Sequence, residues 1–133
     1  MPEANRTKSL SVALLLIGLV FILGIYPLTL IWPSGWTWHS GHSHYLPMIL
    51  GIYATLGAFL VVASRNPLAN LSLIWFTVWS SVVHGGIMAA QSLMNADQIG
   101  HLWGDVLALF AVAGVLAALT PRKAAKELAQ ARA

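Results

Sequence analysis

The chain has 133 residues, 58% of them hydrophobic and only 8% charged, with a formal net charge of +3 and no cysteine. A soluble domain carries about 25% charged residues, so these few cannot solvate a globule, and lipid must cover much of the surface of one integral membrane domain, 1–133. Disulfides, thiolate metal sites and dithiol redox pairs are excluded, and because Lys and Arg lie in flanks and turns with no basic face, so is a nucleic-acid partner.

In chain order, Arg6 and Lys8 precede a first apolar segment at about 10–32. Its run is too long for the apolar core of a signal peptide and no small-x-small cleavage site follows, so it reads as an uncleaved span. Pro27 marks a kink of the kind membrane helices tolerate, and Pro33, Ser34 and Gly35 end the segment. The connection "PSGWTWHSGHSH" follows, with tryptophans suited to lipid headgroups and three close histidines, His39, His42 and His44. A second span covers 45–64 with Pro47 in its first turn, where a missing N–H costs little. "RNP" at 65–67 closes it, Asn66 capping a third span at 67–94 that has Pro67 in its first position. Asp97 is the candidate cap of a fourth span at 98–120, and Pro121 follows that span. The tail 121–133 reads as a solvated end with helical propensity. Each span reaches the ~20 residues that cross a bilayer. The fold class is therefore all-α, a four-helix up-down membrane bundle. The N-terminal tail, the 65–70 turn and the C-terminal tail hold every Lys and Arg, which places both termini in the cytoplasm.

Counting ~1.5 Å per residue from the cytoplasmic ends puts Asp105 about 22 Å up, His84 about 21 Å, and Tyr26 and Met48 about 24 Å, with His101 one turn higher. Each span thus contributes a polar or polarisable group to one layer. On the third span Thr77, Ser80 or Ser81, His84, Met88 and Gln91 recur at spacings of three and four and line one inward stripe. On the fourth, His101 and Asp105 are i, i+4 neighbours, with Gly100, Gly104 and Ala108 beside them as a track that lets another backbone approach closely. An ionised aspartate at such depth costs a few kcal/mol, so Asp105 needs a partner, and His84 is the nearest candidate.

Four readings of this layer stay open. An interhelical His84–Asp105 hydrogen bond would fix register. A transition-metal site would take His84, His101 and Asp105, with His39, His42 and His44 as further ligands. A quinone or lipid-like ligand would use His84, Asp105, His101, Tyr26, Met88 and Gln91, with Trp75 and Trp79 as a wall. Haem would need two histidines at depth, and only His84 lies well inside. Nucleophilic catalysis has little support, since no elbow or oxyanion motif surrounds Ser80 and Ser81.

At "YLPMILGIYATLGAFLVVASRNP", "SLIWFTVWSSVVHGGIMAAQS" and "GHLWGD" the chain resembles a family of small bacterial inner-membrane proteins of unknown function, and more distantly the DoxX-like four-helix membrane proteins. The resemblance implies a four-helix bundle in a bacterial inner membrane and transfers no catalytic residue. The expected function is a non-enzymatic membrane subunit or small-ligand-binding module, with a metal- or quinone-dependent redox component as the competing class. The partners expected are membrane lipids and a membrane protein or a second copy of the chain.

Overall fold

Apolar residues run on with so few breaks that each segment has to satisfy its own backbone N–H and C=O groups, and helices do this locally. The computed structural model describes residues 2–39, 41–121 and 130–131. The reading of the tail 121–133 falls outside these residues apart from Pro121, Gln130 and Ala131. Among the described residues, four helices are long and apolar enough to cross a membrane: α1 (Glu3–Ile31), α3 (Tyr45–Ala63), α4 (Pro67–Met94) and α5 (Ala96–Leu119). A short turn of helix, α2 (Pro33–Trp36), lies between the first two. Large apolar side chains such as Leu23, Phe59, Phe76 and Val83 point outward, as lipid-facing residues must.

α1 begins well before residue 10 because its first turns have a task. Arg6 Nε donates to the Leu119 carbonyl at 3.2 Å, and its Nη2 donates to that of Ala118. These carbonyls belong to the last turn of α5, where no intrahelical partner exists. The chain's first and last spans therefore share one face, here the termini face. Farther along, Pro27 lacks the N–H that would bond the Leu23 carbonyl. The helix absorbs this as a π segment, Val20–Gly24, after which the Ile25 N–H reaches back to the Val20 carbonyl.

α1 crosses α3 at two glycines. A Cβ on Gly18 would lie 2.7 Å from the Gly57 carbonyl oxygen, and one on Gly57 would lie 2.6 Å from that of Gly18. Around this crossing and toward the termini face, Leu10, Leu14, Leu60, Ile74 and Leu116 are completely buried in one apolar core. α4 packs along α5, and α1 touches both α3 and α5. α3 meets α4 mainly near the 3-10 turn Pro67–Asn70, so the two diverge toward the far face. That turn is the one the sequence signals, with the Asn66 side chain accepting from the Ala69 N–H and Pro67 in the first position.

The fourth span departs from expectation. In place of one helix over 98–120 it has a 3-10 segment, Ala96–Leu102, a turn at Trp103 and Gly104, and a regular helix, Asp105–Leu119. Asn95 rather than Asp97 occupies the N-cap position, with no side-chain capping bond, its Nδ2 donating instead to the Gln91 carbonyl at 3.0 Å. The cause lies in the glycine track. A Cβ on Gly100 would collide with the Ser34 carbonyl and one on Gly104 with the Gly35 backbone, so the track receives α2 and not another span.

Candidate functional site

Pro33 has no N–H to offer the Thr29 carbonyl, and the Thr37 hydroxyl donates to that carbonyl instead, at 3.2 Å. This bond and the seat on Gly100 and Gly104 fold the first connection back over the bundle, bringing Trp38 against the polar residues of α5. Trp38 Nε1 donates to Asp105 Oδ2 at 2.9 Å, and its ring system stacks on His101 at a centroid distance of 4.0 Å. His101 Nδ1 lies 2.9 Å from the same oxygen, and with Asp105 as a carboxylate the imidazole N–H donates. His101 is 1% exposed and Asp105 8% exposed, so one carboxylate oxygen holds two N–H donors away from water. Across the bundle, Tyr53 Oη of α3 and His84 Nδ1 of α4 share a hydrogen bond of 2.9 Å, which ties the diverging helices together.

Between these two polar pairs lies a cavity of about 370 Å³ that all four long helices and the first connection line. Its wall is mainly apolar, with Phe21, Ile25, Leu50, Leu109 and Val112 contributing, while Asp105, His84 and Gln91 supply polar groups. Two lining residues carry buried polar atoms without a hydrogen-bond partner among the described residues, Asp105 Oδ1 and Trp36 Nε1. Buried polar atoms are nearly always satisfied, so each such atom calls for an explanation.

A family model described as a family of unknown function, DUF6632, matches residues 4–132. The chain belongs to that family. No curated protein and no solved structure matches it.

In this DUF6632 chain the sequence candidates divide. Asp105, His84, Met88 and Gln91 line the cavity; His101 stands behind Asp105 and holds its carboxylate. The interhelical His84–Asp105 bond does not form, because His84 turns to Tyr53 while Asp105 is taken by His101 and Trp38. For the same reason, among the described residues no three His, Asp or Glu side chains are placed to hold a metal ion: His84 pairs with Tyr53, and His101 with Asp105. The loop histidines give no metal cluster either: His42 and His44 meet edge to face at 4.8 Å, while His39 lines the cavity on its own. Tyr26 and Met48 are exposed on the outside of the bundle and line no part of this cavity. Trp75 packs against the core at the termini face and Trp79 faces outward, so neither forms a wall. Three contributors escape a reading of the sequence: Trp36, Trp38 and Tyr53. Tyr53 could have been found with the depth ruler, since at ~1.5 Å per residue it falls within about one turn of His84. The tryptophans sit in a connection without helical period, and no spacing rule reaches them.

Proposed function

We propose that the chain is a membrane-embedded binding module whose cavity takes a small, mainly apolar molecule directly from the bilayer. The observation that carries this reading is the cavity itself. Its walls are mainly apolar with a few polar groups among them, and it lies where α3 and α4 diverge, which under this reading is where a lipid-soluble molecule enters. Quinones and lipid-like molecules have the required character. Under this reading residues 1–133 form one domain in a bacterial inner membrane, and helix count together with the "RNP" turn makes the DoxX-like group its distant kin. The Lys and Arg distribution puts the termini face in the cytoplasm and the cavity in the outer half of the bilayer.

The test compares wild type with Ala108→Phe, which fills the cavity from α5. Each is purified in nanodiscs and extracted with organic solvent for mass spectrometry. A molecule retained in stoichiometric amount by wild type and lost from the filled variant supports the module. Failure of wild type to retain or saturably bind any lipophilic molecule overturns it. Orientation is tested separately with Ala96→Cys and a membrane-impermeant maleimide, which should label intact cells from outside. Labelling from the cytoplasmic side alone would reverse the topology.

A further inference from the structure

The two histidines set within the spans have different partners, and the difference decides what each ring can offer. Which nitrogen of an imidazole carries the proton follows from the bond that the other nitrogen makes. His101 Nδ1 faces Asp105 Oδ2, and a carboxylate only accepts, so the proton is held at Nδ1. His84 Nδ1 faces the Tyr53 hydroxyl at 2.9 Å, and a hydroxyl both gives and accepts. His84 is therefore not committed. With the Tyr53 O–H donating to Nδ1, the ring proton sits on Nε2, which then donates. With Nδ1–H donating to Tyr53 Oη, Nε2 keeps its lone pair and accepts. The pair carries two protons in either arrangement: the phenol retains its own, and that of the ring is on one nitrogen or the other.

Nε2 is also within reach of a visitor. His84 is half-buried and lines the cavity, as Tyr53 does. Its Nδ1 is taken, while Nε2 has no partner among the described residues and is not shut away as Trp36 Nε1 and Asp105 Oδ1 are. We propose that His84 Nε2 is the contact for the polar head of the ligand, that it serves carbonyl and hydroxyl heads alike, and that the ligand is a lipophile existing in both forms, as a quinone and its quinol do. This inference rests on the binding-module reading and narrows its ligand class. A partner that only accepted would fix Nε2 as an acceptor, suited to the hydroxyl form alone. The Tyr53 hydroxyl keeps Nδ1 satisfied in both arrangements, so neither form of the ligand leaves a ring nitrogen without a bond. Anionic heads are disfavoured, because Asp105 lines the cavity and no Lys or Arg does. The apolar wall takes the body of the molecule and is indifferent to its oxidation state.

The experiment measures saturable binding to the full chain in nanodiscs, with protein-free discs subtracted, for two matched pairs of probes. Methyl undecyl ketone only accepts a hydrogen bond, and tridecane is its counterpart without a head; decylindole only donates, and its N-methyl derivative has lost the donor. Wild type should bind both polar probes, and His84→Phe should weaken each about fivefold, the effect of one ordinary hydrogen bond, while the two counterparts move little. Nitrogen NMR of wild type labelled in its histidine rings is a second readout that needs no variant. The His84 proton should sit on Nε2 with the ketone bound and on Nδ1 with the indole bound. A proton that stays on one nitrogen with either probe, or a loss on His84→Phe for one polar probe alone, would make His84 a fixed donor or a fixed acceptor and overturn the inference. Polar probes that bind no better than their counterparts and ignore His84→Phe would also overturn it, and their saturable binding would leave the module standing. No saturable binding of any probe to wild type would remove both readings.

Discussion

The two halves of this bundle are built on different principles. Toward the termini face, α1 and α3 touch backbone to backbone through Gly18 and Gly57, and the core is mainly leucine, isoleucine, valine and alanine, the buried Thr77 and Thr120 hydroxyls bonding to carbonyls of their own helices. Toward the far face α3 spreads from α4, where the Tyr53–His84 bond spans the gap, and Trp38 ties the first connection to Asp105 and His101. In lipid there is little hydrophobic gain from pressing helices together, so close packing of small residues has to supply cohesion where the bundle is sealed. Where it is open, hydrogen bonds hold the helices at a distance that close packing would abolish. The sealed half gives the open half its freedom to keep a cavity.

The largest effect should come from Gly57→Val. Its added atoms meet the Gly18 carbonyl, Phe21 Cβ and Ile22 Cγ1, and backbone cannot step aside as a flexible side chain could. A loss of about 3 kcal/mol in resistance to unfolding in mixed detergent micelles is expected. A loss below ~1 kcal/mol would mean that the crossing yields and that the sealed half is less rigid than its geometry implies.

Next in size is Asp105→Ala, which acts on the open half. It strips the acceptor from Trp38 Nε1 and His101 Nδ1 together, leaving two buried donors. The cost should be about 2 kcal/mol. Asp105→Asn should recover part of it, because a carboxamide oxygen still accepts. A cycle with Trp38→Phe should give a coupling of about 1 kcal/mol, and additive losses would show that the indole and the carboxylate act independently.

Hydropathy, prolines and charge made most of the bundle legible, and the site only in part. Four spans, the Asn66–Pro67 start of α4 and the closeness of His101 to Asp105 all follow from rules that operate within about one helical turn. What could not be read depends on relations between distant segments. His84 and Asp105 share a depth but not a direction, and the choice of Tyr53 as partner is made by the spread of α3 from α4. The Gly100–Gly104 track announces a close approach without naming the visitor, which proves to be α2. The break at Gly104 follows from that docking, so a continuous fourth helix was the natural reading of its composition.

Tyr53→Phe should have a smaller effect, about 0.6 kcal/mol, the average for a hydrogen bond between membrane helices. Its consequence for shape should be greater than its consequence for stability. The Tyr53–His84 bond is the polar tie across the side entrance, and spin labels on α3 and α4 near the far face should report a broader distance distribution once it is gone. An unchanged distribution would mean that the termini half alone sets the spread.

The smallest effect should come from Arg6, and it tests the sealed half where that half meets water. Arg6 is half-buried, and its guanidinium donates to two carbonyls that end α5, so it joins a positive charge to the negative end of a helix dipole. Exposed charge interactions are weak, and Arg6→Gln should cost about 0.5 kcal/mol, falling further as salt is raised. Arg6→Lys separates the two contributions. A lysine keeps the charge but cannot span two carbonyls with a planar fork. If the lysine variant matches wild type, charge at the helix end is what matters; if it matches the glutamine variant, the paired hydrogen bonds fasten the first span to the last, and the termini half is sealed by geometry at its rim as it is at Gly18 and Gly57.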